Sequence, residues 1–348
     1  MRIDSPKLPG SGGPGELDLL KQIRRRASAV RSPALPLGIG DDCALIRPRP
    51  GEDLAVTTDL SVAGRHFRLE WHPPEAVGHR TLARGLSDLA AMGARPVAAF
   101  LSLGLPRELT RASGGGVRSG RASWLDGFLD GFMRLARAHK TPLAGGDLAE
   151  SPVAAADIVL IGAVPRGRAL LRSGAHPGDV ICVTGALGGA AAGFARLAQR
   201  AESGGKNRRR HSQKLAAELA PHLYPQPRLA QGQWLMRRGV VTAAIDISDG
   251  LSTDLAHICE ESGVAAEIDD GALPVHPGAI LEQALNGGED YELLFTMRGA
   301  ARLPREIAGV AVTRIGRVVR ARKGRPQVML LGEGGSRTLE ACGWQHFA

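Results

Sequence analysis

The chain has few aromatic residues, and it lacks long apolar runs. Phe, Trp and Tyr make up 4% of its 348 residues, so its cores must be built mainly from Ala, Val, Leu and Ile. No segment of about 18 apolar residues occurs, and the first residues, MRIDSPKLPGSGGPGE, lack the apolar stretch of a signal peptide. These absences argue against a membrane protein and a secreted protein, and we expect a cytoplasmic one.

Cysteines are also few, and they are widely separated. Cys43, Cys182, Cys259 and Cys342 form no C-x-x-C pair, which argues against a disulfide framework and against a structural zinc site. We interpret them as small packing residues, most clearly Cys182 within DVICVTG.

Common nucleotide-binding and hydrolase motifs are missing as well. The nearest string to a P-loop, GGVRSGRAS at 115–123, has Arg121 where that motif needs a lysine. The chain contains no protein-kinase motif set, no H-E-x-x-H and no G-x-S-x-G. A phosphate-handling role would therefore need another kind of site.

Positive charge exceeds negative charge, with 44 Lys and Arg against 35 Asp and Glu, a net charge of +9. Such a balance suits a nucleic-acid-binding protein or an enzyme with an anionic substrate. Much of the excess lies in the Gly- and Ser-rich stretches 111–121 and 204–214, which lack the interleaved aromatics of a single-strand binder. We favour solvated loops for both stretches and expect no nucleic-acid partner.

The length of the chain and the order of its predicted elements indicate two domains. Residues 1–15, rich in Gly and Pro, are predicted to be a disordered leader. We place an N-terminal domain at 16–165 and a C-terminal domain at 166–348, because the composition changes at RGRALLRSGAHPGD. Strands and helices mix without strict alternation, which predicts α/β or α+β architecture in both halves.

The apolar patterns predict individual elements, especially in the N-terminal half. Helices are predicted at ELDLLKQIRRRA, between Pro74 and Gly93, and at SWLDGFLDGFMRLARAHK, and strands at 52–62, PVAAFLSLGLP and ADIVLIGAVP. TPLAGGDLAES is predicted to be a turn that follows a short strand. In the C-terminal half, VICVTGAL, VVTAAID and AVTRIGRVV are predicted strands, and LSTDLAHICEESG is a predicted helix.

Six short segments share one design, in which glycines or small residues surround an acid at the end of an apolar strand or on an Ala-rich helix. They are GIGDDCA, TTD, LSDLAAMG, GGDL, DISDGLSTD and NGGEDYE. Glycine permits close backbone approach, and the hydroxyls of Thr57, Thr58 and Ser248 add neutral oxygen atoms. Oxygen ligands of this kind suit Mg²⁺ that is bound together with substrate phosphates.

Electrostatics favours a bound cation if these acids converge. Two carboxylates about 4 Å apart repel by about 4 kcal/mol at an effective dielectric constant of about 20, so a convergent set needs raised pKa values or cations. A single Asp before Gly is, however, more often a turn former, Asp88 could be a solvated helix residue, and Ser248 could merely cap a helix. From the residues alone, both interpretations stay open.

Taken together, the motifs resemble those of thiamine-monophosphate kinases, a family in the superfamily of aminoimidazole-ribotide synthetase. GIGDDCAL, TTDLSVAGRHF, LSDLAAMGARP, GGDL, GRALLRSGAHPGD, VTGALGG, AIDISDGLSTDL and GGEDYELLFT follow the family's order across residues 17–347. The resemblance implies an N-terminal α/β domain whose sheet pairs across a homodimer, and a C-terminal α+β domain. It implies that ATP and several Mg²⁺ ions bind between the domains, and that the γ-phosphoryl group of ATP passes to thiamine monophosphate to give thiamine diphosphate.

Matching the motifs position by position implies roles for individual residues. The implied magnesium ligands are Asp42, Thr57, Thr58, Asp59, Asp88, Asp147, Asp246 and Asp249. The implied ATP contacts are Gly146, Asp147, Arg172 and Ser248, and the implied contacts to thiamine monophosphate are His66 and Glu289. We expect no catalytic general base, because the acceptor phosphate is already ionised and metal ions supply most of the charge neutralisation.

The chain departs from the family pattern at several places. Leu148 replaces the threonine of G-G-D-T, and His139 stands where a tyrosine commonly precedes that strand. Ala341 takes the position of an aromatic residue that faces the substrate rings. We expect either that Trp344 takes over this contact as a substrate-binding residue or that substrate affinity is weaker. The stretch 199–214 is interpreted as an insertion.

A hydrogenase-maturation or selenophosphate-synthetase relative is the alternative hypothesis within the superfamily. Selenophosphate synthetase normally has a reactive cysteine or selenocysteine near its N-terminus, where this chain has none. An enzyme with a C-terminal cysteine is also disfavoured, because residues 343–348 follow Cys342.

Overall fold

The computed structural model describes residues 14–111, 122–203, 213–324 and 327–344. Most of the predicted leader, the stretch 112–121 and the centre of the stretch 199–214 lie outside these residues. The described chain has an N-terminal half built on a four-stranded sheet and a C-terminal half built on an eight-stranded one. Helices accompany the strands in both halves, which confirms the predicted combination of α/β and α+β architecture.

Four strands form the N-terminal sheet. They are β1 (Glu52–Val62), β2 (Arg95–Leu105), β3 (Leu143–Glu150) and β4 (Ala155–Pro165). Their order in the sheet is β1-β4-β2-β3, and the β2-β3 pair is parallel whereas the other pairs are antiparallel. β1 therefore forms one edge of this sheet.

Three helices belong to the N-terminal half: α1 (Glu16–Ala27), α2 (Pro74–Ala91) and α3 (Trp124–Ala138). Pro74 begins α2, where its missing N–H leaves no helical hydrogen bond unmade. α2 and α3 cross closely at Gly131, which has no Cβ atom. A Cβ atom there would lie 1.8 Å from the carbonyl oxygen of Glu75. This close crossing fixes α2 against its neighbours.

The two faces of the N-terminal sheet have different surroundings. On one face, which we call the helix face, Ile158 and Leu160 pack with residues of α2 and α3. On the other, which we call the outer face, residues 34–46 cover Ala144 and nearby small residues. Side chains alternate between the faces along a strand, and those of β1 that point away from the helices include the exposed residues Leu54, Val56 and Leu60.

The C-terminal half is built on a second sheet. Its strands are β5 (Val180–Thr184), β6 (Val241–Asp246), β7 (Val264–Asp269), β8 (Leu293–Met297), β9 (Glu306–Ile307), β10 (Val310–Arg320), β11 (Val328–Gly332) and β12 (Gly335–Thr338). The order is β12-β11-β7-β10-β5-β8-β6, and β9 pairs with β10. The helices of this half are α4 (Gly189–Glu202), α5 (Gln213–Leu223), α6 (Leu229–Arg238), α7 (Leu251–Ser262) and α8 (Leu281–Asn286).

Two apolar cores hold these layers together. In the C-terminal half, Ile181, Ile245 and Leu255 belong to one core between the sheet and α7. Leu235 and Met236 of α6 join the N-terminal core instead, so the two halves share buried apolar contact. Within the described parts of the chain, no helix is both long and apolar enough to span a membrane.

Most predicted elements are present, and α1 and β1 have the predicted bounds. The predicted turn at TPLAGGDLAES is wrong, because Leu143–Glu150 form β3. Pairing with β2 keeps this segment extended, and Gly146 (φ 145°) permits it because a Cβ atom would lie 1.9 Å from the carbonyl oxygen of Leu101. The start of the predicted loop at 199–214 is also wrong, since α4 continues to Glu202.

Candidate active site between the two halves

A cavity of about 470 Å³ lies where the two halves meet. Its N-terminal wall comes from β1, the residues that follow it, and α2. Its C-terminal wall comes from α4, the loop after β6 and the turn before β8. Eight of the predicted site residues line it: Asp59, His66, Asp88, Asp246, Ser248, Asp249, Glu289 and Trp344. Folding therefore brings together acids that are far apart in the sequence.

Hydroxyl groups orient two of the cavity carboxylates. Thr57 Oγ1 donates a hydrogen bond to Asp88, which connects β1 to α2. Ser87 Oγ donates a hydrogen bond of 2.6 Å to Asp246 Oδ2, which connects α2 to the end of β6. These two hydrogen bonds within the protein thus fix the orientation of the Asp88 and Asp246 carboxylates.

The same carboxylates bind protons more tightly than exposed ones do. Burial raises the pKa of Asp88, and the charges of Asp246 and Asp59 raise it further. Burial also raises the pKa of Asp246, although the hydrogen bond from Ser87 opposes this shift. Burial raises the pKa of Asp59 too. A divalent cation would relieve this repulsion, and carboxylate and hydroxyl oxygens are the donors that Mg²⁺ takes.

The loop after β6 is held by a buried acid. Asp254 of α7 accepts hydrogen bonds from the N–H groups of Ser248, Asp249 and Gly250, at 3.1, 3.2 and 3.1 Å. Burial and the charge of Asp249 raise the pKa of Asp254 to about 7. Ligand atoms of Asp249, Asp254 and His257 lie within 4.8 Å of one another, close enough to share a metal ion.

Glu289 is held by partners from both halves. Arg80 of α2 donates hydrogen bonds to Glu289 and, at 2.8 Å, to the carbonyl oxygen of His222. His222 Nδ1 lies 3.6 Å from Glu289 Oε2, and His72 Nε2 lies 3.0 Å from His222 Nε2. Burial lowers the pKa of His72 to about 4 and that of His222 well below its usual value, so both rings are neutral. Arg80 therefore supplies the positive charge opposite Glu289.

The C-terminal segment docks beside the same loop. The Trp344 N–H donates a hydrogen bond of 3.1 Å to the carbonyl oxygen of Asp249, and the Gly343 N–H donates one of 3.0 Å to Thr253 Oγ1. The Trp344 side chain lines the cavity and is 52% exposed. Its ring is therefore placed where it can meet a bound molecule.

The remaining predicted residues do not line this cavity. They are Asp42, Thr57, Thr58, Gly146, Asp147 and Arg172. Thr57 reaches the cluster through Asp88, and the charge of Arg172 lowers the pKa of Asp88 although its side chain is exposed. Thr58, next to Thr57, points to the outer face. Asp42 and Asp147 are exposed, and their predicted role as ligands stays a prediction.

Several residues around the cavity were not predicted from the sequence. Arg80 and Arg84 precede Asp88 by eight and four residues on α2, a spacing that places all three on one side of a helix. That spacing is the signal by which they could have been found. His222 had no such signal, because its helix α5 was not predicted and its partners come from other elements.

Comparison with family models shows what the chain is similar to. Residues 40–164 match the model for the N-terminal domain of AIR synthase related proteins, and residues 176–329 match the model for their C-terminal domain. Thiamine-monophosphate kinase of Escherichia coli (strain K12) is 40% identical over 350 residues, with 96% of this chain and 98% of the relative covered. The chain belongs to the thiamine-monophosphate kinase family. The family predicted from the motifs is therefore confirmed.

Solved structures agree with this membership of the thiamine-monophosphate kinase family. The crystal structure of thiamine-monophosphate kinase from Stenotrophomonas maltophilia K279a has a TM-score of 0.74 and 36% identity, and covers 90% of this chain and 95% of that one. A structure of AaThiL complexed with AMPPCP and TMP has a TM-score of 0.71 and 30% identity, and covers 96% and 97%. The match to this family thus extends over both halves.

Proposed function

We propose that this protein transfers the γ-phosphoryl group of ATP directly to thiamine monophosphate, giving thiamine diphosphate, in a reaction assisted by several Mg²⁺ ions. The predicted phosphorylation of thiamine monophosphate is confirmed as the activity of the family, whose members are named for it and include a structure complexed with AMPPCP and TMP. The magnesium ions and the roles of individual residues belong to the proposal. The observation that supports it best is the convergence of Asp59, Asp88, Asp246 and Asp249 on one cavity.

The chemistry of the cavity fits magnesium. Asp59, Asp88, Asp246 and Asp249 offer carboxylate oxygens, and Thr57 adds a hydroxyl beside Asp88. Magnesium bound there would neutralise the phosphate oxygens and orient them for in-line transfer. We include Asp42, Thr58 and Asp147 among the ligands on the strength of their motifs.

The protein's own residues would position the two substrates. We assign Gly146, Asp147, Arg172 and Ser248 to ATP on the strength of their motifs, and the guanidinium of Arg172 suits phosphate oxygens. Glu289, fixed by Arg80, provides a negative charge for the cationic thiazolium or the aminopyrimidine of thiamine monophosphate. His66 and Trp344 line the same cavity and complete this side. The acceptor phosphate is ionised at neutral pH, so the proposal needs no general base.

We further propose a cytoplasmic homodimer in which residues 16–165 bind ATP and Mg²⁺ and form the interface, while residues 166–348 form the second domain. Leu54, Val56 and Leu60 support this interface, because they are exposed on an edge strand of the N-terminal sheet. An exposed row of apolar residues on an edge strand is a surface that another chain can cover.

An assay of the purified full chain tests the proposed function. Incubation with ATP, MgCl₂ and thiamine monophosphate should produce thiamine diphosphate and ADP in equal amounts, as measured by chromatography. Omission of magnesium should abolish the product, and thiamine should not replace thiamine monophosphate. Hydrolysis of ATP without thiamine diphosphate would refute the assignment.

A further inference from the structure

Arg84, a half-buried arginine, lines the acidic cavity and has no role in the site described so far. Arg84 lies on α2, one helical turn before Asp88, so its side chain points to the same side of the helix. Its side chain is 17% exposed, and it lines the cavity. A long cationic side chain that is mostly covered by protein is usually paired with an acceptor.

The protein uses part of the hydrogen-bonding capacity of this guanidinium. Arg84 Nη2 donates a hydrogen bond of 3.1 Å to Asp59 Oδ1, and Nη1 lies 3.5 Å from Ser61 Oγ. An arginine guanidinium keeps its charge in proteins, and a group with five N–H donors can serve a further acceptor beside Asp59.

Arg84 lies near residues on two sides of the cavity. On one side it contacts Asp59, which belongs to the acidic cluster proposed to hold magnesium. On the other side it lies beside His66, with which it lines a small adjoining cleft, and near Glu289. His66 and Glu289 are the residues proposed for thiamine monophosphate. Arg84 thus lies between the proposed metal side and the proposed acceptor side.

Other arginines are less suited to a phosphate within the cavity. Arg65 also lines it but is exposed, and Arg172 is exposed and does not line it. Arg80 is buried, but its donors are directed to Glu289 and His222. Among these arginines, Arg84 therefore combines a place in the cavity wall with a contact to Asp59 that holds its side chain.

We propose that Arg84 is a substrate-binding residue that contacts the phosphate of thiamine monophosphate and orients it as the phosphoryl acceptor. The planar guanidinium can donate two parallel hydrogen bonds to a phosphate, a geometry that a magnesium ion does not impose. The contact to Asp59 holds the side chain in position before the substrate arrives. This inference rests on the proposed function, since it assigns the acceptor phosphate of that reaction.

The test compares ligands with and without the phosphate. Arg84→Met should weaken the binding of thiamine monophosphate by about 10- to 100-fold, because a charge-assisted hydrogen bond is lost. It should leave the affinity for thiamine and the KM for ATP unchanged. Isothermal titration calorimetry of both thiamine compounds, with steady-state kinetics at saturating magnesium, measures these quantities. Arg84→Lys retains the charge without the planar fork and should give an intermediate loss.

Controls separate this role from a structural one. Arg95→Met removes an arginine that is also paired with an acid of β1, Glu52, but lies outside the cavity, and it should leave both affinities unchanged. Equal losses for thiamine and thiamine monophosphate would overturn the proposal, as would an effect confined to the magnesium dependence. If Arg84→Met does not fold, Arg84→Lys and the same pair of ligands decide the question. The binding comparison needs no turnover, so it remains informative if the kinase assay fails.

Discussion

The magnesium ligands proposed for the N-terminal half lie on two different faces of its sheet. On the helix face, Thr57 bonds to Asp88, and Asp59 pairs with an arginine of the same helix. On the outer face, Thr58 and Asp147 point away from the cavity, and the segment that contains Asp42 packs against this side. Neighbouring residues of one strand therefore belong to different environments.

The difference between the two faces shows which of the proposed ligands are already oriented by other side chains of the protein. The proposed ligands beside the helix face are half-buried or buried, and hydroxyls or an arginine orient them without any bound substrate. Those on the outer side, Asp42, Thr58 and Asp147, are exposed. Preorganised groups contribute more to electrostatic stabilisation than groups that must first be ordered.

The largest expected effect comes from the helix face. Asp88→Asn should lower kcat/KM by about 1,000-fold, because it removes a proposed carboxylate ligand and the negative charge that would bind Mg²⁺. The metal-free variant should nevertheless unfold at a higher temperature than the parent at pH 8. Burial raises the pKa of Asp88 to about 7, so the stability that it contributes is present below pH 4 and is lost as the pH rises through 7.

Asp130→Asn is the matched control for this substitution. Asp130 lies on α3, is exposed and approaches Arg26 at 3.5 Å, so its loss should change neither activity nor stability appreciably. An Asp88→Asn enzyme with full activity would remove Asp88 from the metal site. A variant that is less stable at pH 8 would contradict the electrostatic argument. Calorimetry and steady-state kinetics measure both quantities.

On the outer side, Asp42→Ala should lower kcat/KM by about 100-fold without a change in the unfolding temperature, because an exposed ligand contributes to catalysis but little to stability. Asp41→Ala is the matched control: Asp41 accepts a hydrogen bond from the Asp42 N–H and is assigned no ligand role. Magnesium titrations should show weaker dependence only for Asp42→Ala. Equal effects of the two substitutions would mean that the turn, and not the Asp42 carboxylate, matters.

The smallest expected effect on activity concerns the exposed row on β1. Val56→Asp should convert a dimer into a monomer in light scattering, because it places a charge within an apolar contact, while kcat/KM falls by less than about 10-fold. Ile280→Asp is the matched control, since Ile280 is 64% exposed in the C-terminal half and Val56 is 61% exposed. A parent protein that is monomeric at micromolar concentration would refute the proposed interface.

A considerable part of this protein could be predicted from its sequence. The bounds of α1 and β1 follow from local signals, namely apolar periodicity, Gly15 before α1, and Gly51 and Gly64 near the ends of β1. The order of the motifs in the sequence indicated the family, and the comparisons confirmed it. Eight of the predicted site residues line the cavity, seven of them from the matched motifs and Trp344 from the departure at Ala341.

The tertiary structure decided what local patterns cannot specify. The sequence GGDL resembles a turn, but pairing with β2 keeps it extended. Hydrogen bonds to a distant strand cannot be predicted from the residues of a short segment alone. Arg84 reaches Asp59 because α2 packs on β1. Asp254 reaches the loop after β6 because α7 directly follows that loop. The sequence by itself determined which oxygens and charges are available, because residue type sets their chemistry. Only the fold determined which of them meet, because that depends on contacts between residues far apart in the chain.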